Sequence, residues 1–313
     1  MATRLWAWGV LLTMGLAWGL SFSLARIAAT AGVHPLSLTF WEAAGAGSIL
    51  LAITAARRRS IPVSRELVLL YLAAGALGMV APGAIFFYAA AHVPAGVLSI
   101  SIALVPVLTF VLSAILRLET FVLGRVAGVF LGVLSIVLLV GPQQSLPDPA
   151  QLSWVLLSLV AAACYTGLSV MMAAWKPRGT TSFTATAGMF VAASLIMVPI
   201  LCATDSFVGF GWPWTEVEWA MLGLGVINAV AYTLYFYLIE TAGPVFSSQT
   251  ANLVTLFGVL WGIVIFGEQN SVWVWLALAT MMTAVALVTP RQRASLAVSA
   301  TTCRSISGAR LLR

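Results

Sequence analysis

The sequence predicts an all-α integral membrane protein, with ten transmembrane helices arranged as two inverted five-helix repeats. Three observations carry this. The 313 residues are 61% hydrophobic and only 8% charged, with a mean hydropathy of +1.05, and a soluble chain of this size needs far more charged surface. Apolar runs long enough to cross a bilayer, about 20 residues each, recur along the chain. Nearly all of the Arg and Lys residues fall on one side of a ten-span arrangement, as cytoplasmic flanks do.

The expected spans are Trp6–Ala28, Ser37–Ala56, Leu67–Ala90, Val97–Leu116, Phe121–Val140, Leu152–Ala174, Ser182–Leu201, Val217–Ile239, Phe246–Phe266 and Val272–Thr289. Short connections carry the turn residues between them: GVHP, HVPAG, GPQQSLPDP, KPRGT and TAGP. The first span follows Arg4 and is longer than a signal-peptide core, so it reads as an uncleaved helix. With the N-terminus cytoplasmic, the inner segments hold Arg4, Arg57, Arg58, Arg59, Arg65, Arg117, Lys176 and Arg178, with Arg125 at the inner end of span five. Arg291, Arg293, Arg304, Arg310 and Arg313 lie in the tail, so both termini are expected in the cytoplasm. Only Arg26, inside span one, departs from the pattern. Such scattered flanks are not a nucleic-acid surface, despite the net charge of +6. Trp212, Trp214, Trp219, Trp273 and Trp275 read as anchors at the outer membrane surface.

An odd number of spans per half inverts the second copy. The segment Pro94–Glu119 aligns without a gap on Gly243–Glu268, with Ser99/Ser248, Leu104/Leu253, Val105/Val254 and Glu119/Glu268 identical. In the same register Ser101 meets Thr250 and Tyr88 meets Tyr237. The expected units are residues 1–145, the first five-helix repeat, and residues 146–290, the second. Residues 291–313 are expected to form a disordered, basic cytoplasmic tail.

The residues that could act inside the membrane follow from cost. An ionisable side chain there is unfavourable by at least about 2.5–3.5 kcal/mol on insertion scales, and spans one and two each hold one, Arg26 and Glu42. Three readings stay open for them: a structural ion pair at the outer end of the bundle, a pathway that binds a charged substrate group or accepts a proton, or Arg26 snorkelling alone to the outer surface. Gln249 and Asn252 on span nine need partners that an amide cannot supply to itself, so they are expected to face a cavity or another polar group. Ser99, Ser101 and Thr255 also serve as small packing residues that bond their own backbone. Asn228, Tyr232 and Tyr235 form one stripe on span eight. Trp18 and Tyr165 lie deep in spans one and six, where each donor needs a partner. These residues, with Tyr88, make the expected substrate cavity: aromatic walls with a few polar tips. Glu119 and Glu268 sit where a helix dipole favours an acid, ahead of spans five and ten. Pro82, Pro106 and Pro199 inside spans predict kinks. Gly15, Gly19, Gly75, Gly78, Gly128 and Gly132 read as packing positions.

Catalytic and cofactor chemistry is not indicated. His34 and His92 are the two histidines, both near outer loops, and no zinc motif, carboxylate pair or Walker A sequence occurs. Cys164, Cys202 and Cys303 have no metal or disulfide spacing. The expected partners are a small-molecule substrate and the lipid bilayer, for a monomer or weak homodimer.

The chain resembles the ten-span EamA branch of the drug/metabolite transporter superfamily. The resemblance rests on AWGLSFSLAR (Ala17–Arg26), HPLSL (His34–Leu38), VPAGVLSISIALVPVLTFVLSAILRLET (Val93–Thr120) and TAGPVFSSQTANLVTLFGVLWGIVIFGE (Thr241–Glu268). It implies a two-repeat bundle with a central cavity, working by alternating access in the cytoplasmic membrane. It also implies export or exchange of a small metabolite such as an amino acid. Where the family carries a basic residue in span two, this chain has Glu42; opposite Pro106, where the family repeats proline, it has Thr255. A membrane-embedded enzyme and a passive channel are the alternative classes; saturable flux would separate them from a transporter.

Overall fold

The computed structural model describes residues 2–58, 60–102, 104–115, 123–140, 151–175, 177, 180–242 and 249–288. Among them every regular element is helical. Helix α1 spans Ala2–Thr30 and α2 spans Pro35–Ala56. The third crossing is composite: α3 (Arg65–Gly75), a π-turn (Ala76–Val80) and α4 (Ala81–Ala90). The fourth is split into α5 (Ala95–Ile102) and α6 (Val105–Ile115). There follow α7 (Leu123–Val140), α8 (Gln151–Trp175), α9 (Ser182–Thr204), α10 (Glu216–Ala242), α11 (Gln249–Phe266) and α12 (Val272–Val288).

Seven described helical stretches are long and apolar enough to cross a membrane. They coincide with the first four expected spans and with the sixth, seventh and eighth. Shorter apolar helices, Val126–Leu139, Leu253–Phe266 and Val272–Ala284, occupy the expected fifth, ninth and tenth. Large apolar side chains such as Leu195, Val264, Val272 and Ile115 are strongly exposed. A surface of that kind suits lipid, and only in lipid is it not a liability.

Local chemistry sets the helix ends. Pro35 opens α2 at the position where a missing N–H costs nothing, while the His34 ring accepts the Leu36 N–H at 3.3 Å. The Ser64 and Thr181 hydroxyls cap α3 and α9. Asp205 ends α9 with φ +48°. The expected prolines act differently from one another. Pro82 directly follows the π-turn, and the α5–α6 break falls just before Pro106. Helix α9 runs through Pro199 as one element.

Helices of the two halves pack on each other more than within a half. Helix α1 lies along α11 and α10; α8 lies along α5–α6 and α4. Helix α2 packs on α10 as α9 packs on α3. Three further pairs also pack directly: α2 with α9, α5 with α11, and α7 with α12. The α1–α11 contact is close because Gly19 lacks a side chain: a Cβ there would meet Phe257 Cβ at 2.7 Å and the Gly258 backbone at 2.9 Å.

Of the four buried apolar clusters among the described residues, two are large. One gathers Phe22, Leu38, Phe87, Leu98, Ile100, Leu224 and Val259. The other gathers Ala43, Leu50, Tyr71, Met79, Met189, Phe190 and Ala229. Along α2 the clusters change over between Leu38 and Ala43, and along α10 between Leu224 and Ala229. Glu42 and Asn228 fall at that seam.

Candidate functional site

At the seam, side chains from five helices and the π-turn converge. Asn228 stands at the middle of α10 and is buried. Its Nδ2 donates to Glu42 Oε1 from α2 and, at 3.1 Å, to the Leu224 carbonyl one turn back. Its Oδ1 accepts the Trp18 Nε1–H from α1 at 3.0 Å. An asparagine amide has two N–H donors, and both have partners here, as does the indole N–H. The remaining hydrogen-bonding capacity of the trio is chiefly acceptor capacity, on the Glu42 carboxyl.

Aromatic rings surround these groups. Tyr232 meets the Trp18 ring edge-on at 5.0 Å, and Tyr235 lies tilted at 5.7 Å. Phe190 of α9 packs edge-on against Tyr232 at 5.4 Å. Tyr165 enters from α8 within electrostatic reach of Glu42 and Tyr232. Trp18, Glu42, Tyr165, Tyr232 and Tyr235 are half-buried inside the bundle. Two grooves elsewhere, at the Arg57 end of α2, are lined by residues such as Thr181 and Phe183 and do not reach Glu42.

The π-turn contributes a backbone acceptor. An α-helix would direct the N–H of residue 82 to the Gly78 carbonyl, but Pro82 has none. The Tyr232 hydroxyl donates to that carbonyl at 3.5 Å. Neither Phe190 nor this carbonyl stood out in the sequence. The only signal was Pro82 four residues after Gly78.

Arg26 is not part of this cluster. The structural pair expected between Arg26 and Glu42 is replaced by a pair between Arg26 and Glu268. The reason is depth: Trp18, at the level of Glu42, lies roughly 12 Å along α1 from Arg26 at 1.5 Å per residue. The Glu268 carboxylate also accepts the backbone N–H groups of Ala95, at 2.9 Å, and Gly96, at 3.2 Å. It therefore caps α5 rather than the helix that follows it in sequence; α12 is capped by Ser271. The Arg26 guanidinium also rests 4.5 Å over the Phe266 ring. Gly262 makes room for the carboxylate, since a Cβ there would collide with Glu268.

The other expected cavity residues separate. Ser99 is buried where α5 crosses α11, its hydroxyl donating to the Gly96 carbonyl at 2.8 Å and the Thr255 carbonyl at 3.3 Å. Ser101 donates to the Val97 carbonyl at 3.2 Å. Both have the packing role. Tyr88 faces His34 with ring centres 6.0 Å apart, outside the seam cluster. The side chains of Gln249 and Asn252, with Ser247, Ser248, Glu119 and residues 291–313, lie outside the described residues.

Comparison with known proteins agrees with this architecture. The model of the EamA-like transporter family matches residues 5–141 and again residues 152–289. A curated protein of Escherichia coli strain K12, "Uncharacterized inner membrane transporter YedA", is 26% identical over 290 residues, covering 90% of each chain. The protein of the same name from Escherichia coli O157:H7 gives the same figures. A solved structure described as "Crystal structure of protein" matches with a TM-score of 0.65 at 20% identity, over 90% of this chain and 98% of that one. That likeness speaks to the fold.

Proposed function

The chain belongs to the EamA-like transporter family, and from that premise we propose that it is a secondary transporter carrying a small organic solute by alternating access through the seam between its halves. The observation that carries this reading is the Glu42–Asn228–Trp18 cluster: a carboxyl, an amide and an indole joined at mid-bundle and walled by aromatic rings. Polar groups at that depth are costly unless they serve something, and few polar groups in an aromatic setting describe a small-molecule site.

Ten crossings in two inverted repeats fit the reading. The two family matches divide the chain near residue 146, and the helix pairings recur when five crossings are added. Inverted repeats commonly place a substrate site near the midplane between them. In the proposed arrangement the termini are cytoplasmic, as the basic flanks indicate, and the membrane is the inner membrane named for the Escherichia coli relatives. In that arrangement Arg26, Glu268 and the α5 N-terminus lie together at the outer end of the bundle.

The test is counterflow in proteoliposomes, with amino acids, amines and related metabolites. Saturable uptake stimulated by the same solute on the opposite side is the expected result. Uptake that never saturates would identify a channel, and no uptake across the panel would sink the reading.

A further inference from the structure

We infer that the solute is an organic amine carried as a cation with an apolar body, and not a zwitterion such as an amino acid. The inference deepens the proposed transport reading and rests on it. Its basis is the charge and donor balance at the seam.

Among the described side chains there, Glu42 is the one carboxylic acid, and none of the described basic side chains faces it. Arg26 is committed to Glu268 and to the Phe266 ring. Arg57 sits over the Phe183 ring, roughly 22 Å further along α2 at 1.5 Å per residue. A zwitterion would bring a carboxylate needing a cation or a set of free N–H groups. The amide hydrogens of Asn228 are bound to Glu42 and Leu224, and the Trp18 N–H is bound to Asn228. The amides at the α5 N-terminus, another place for a carboxylate, already hold Glu268. What remains among the described groups, beyond the tyrosine hydroxyls, is the Glu42 carboxyl, set among the rings of Trp18, Tyr232, Tyr235 and Tyr165.

That inventory fits an ammonium group. A carboxylate in a site of low dielectric strongly favours a directly opposed cation. Aromatic faces add cation–π attraction, with tryptophan the best of them. The rings also offer an apolar body a place to pack. No covalent step is involved; the amine binds, the seam opens to the other side, and it leaves.

A matched set of probes isolates the charge: phenethylamine, phenylalanine and phenylpropionate share one ring and differ in their charged groups. Binding to the purified full-length protein is measured by calorimetry, and each compound is assayed for counterflow. Phenethylamine should bind at least tenfold more tightly than phenylalanine, phenylpropionate should not bind, and Glu42→Gln should weaken the amine at least tenfold. The unaltered protein supplies the main comparison, so the result does not depend on the variant folding. Phenylalanine binding as well as or better than the amine, or no amine binding at all, overturns the inference. Saturable counterflow of an amino acid by a protein that ignores amines would leave the transport reading standing while this one falls. Absence of counterflow for every solute would remove both.

Discussion

Asn228 holds three partners from three directions, so replacing it has two consequences at once. In Asn228→Leu the volume is similar, but the Trp18 N–H and the Glu42 carboxyl both lose a buried partner. Each such loss costs about 1–3 kcal/mol, so the variant should melt several degrees lower in detergent and its counterflow should fall at least tenfold. A variant that melts and transports like the parent would rule out the described cluster. Tyr88→Phe is the opposite case. Tyr88 stands with His34 away from the seam, and its counterflow should stay within twofold of the parent. The ion pair separates its members in the same manner. Glu268→Gln weakens the α5 cap and leaves Arg26 without its anion, whereas Arg26→Gln leaves Glu268 on two backbone amides. Charged hydrogen bonds contribute roughly 1.5–3 kcal/mol each, so thermal melts should rank Glu268→Gln below Arg26→Gln, and the reverse order would contradict the geometry. At this scale the sequence made the cluster residues legible as types. Glu42, Asn228, Trp18, Tyr165, Tyr232 and Tyr235 each stand out as polar or amphipathic groups in apolar helices. Their partners were not legible, since a hydrogen bond across helices depends on rotation and depth that no local pattern records.

At the scale of elements, close approach and broken helices matter most. Gly19 lets α1 lie against α11, and a branched side chain there must push Phe257 and Gly258 aside. Overpacking of this kind costs about 1–3 kcal/mol. Gly19→Val should therefore lower the melting temperature, while Gly9→Val, with nothing within 4 Å of its Cβ, should not. Equal melts for the two would mean that α1 and α11 do not pack as described. The packing glycines were visible in the sequence as small residues in apolar helices. The composite third crossing was visible only in part. Pro82 announced a disturbance, but a π-turn whose Gly78 carbonyl meets Tyr232 depends on a helix from the other half. Glu268 shows the same limit: an acid ahead of a helix suggests its own helix dipole, yet its carboxylate caps α5, which lies next to it only in the folded chain.

For the whole molecule, the basic flanks make an orientation testable. In a cysteine-free background, Thr204→Cys should react with a membrane-impermeant maleimide on intact cells, and Ser60→Cys only after permeabilisation. Both positions are exposed, at opposite ends of the bundle; the inverse labelling would reverse the proposed topology. By itself the sequence determined that the chain is helical, lives in a membrane and belongs with EamA-like transporters. Hydropathy and charge placement are properties of each segment alone, and a bilayer leaves segments of that composition few alternatives to a helix. Tertiary structure decided which charge meets which. It carried Arg26 to Glu268, brought Glu42 to Asn228, and so set Glu42 among aromatic side chains at the seam. Pairing across a bundle is set by the packing of helices distant in sequence, and that packing is a property of the whole fold.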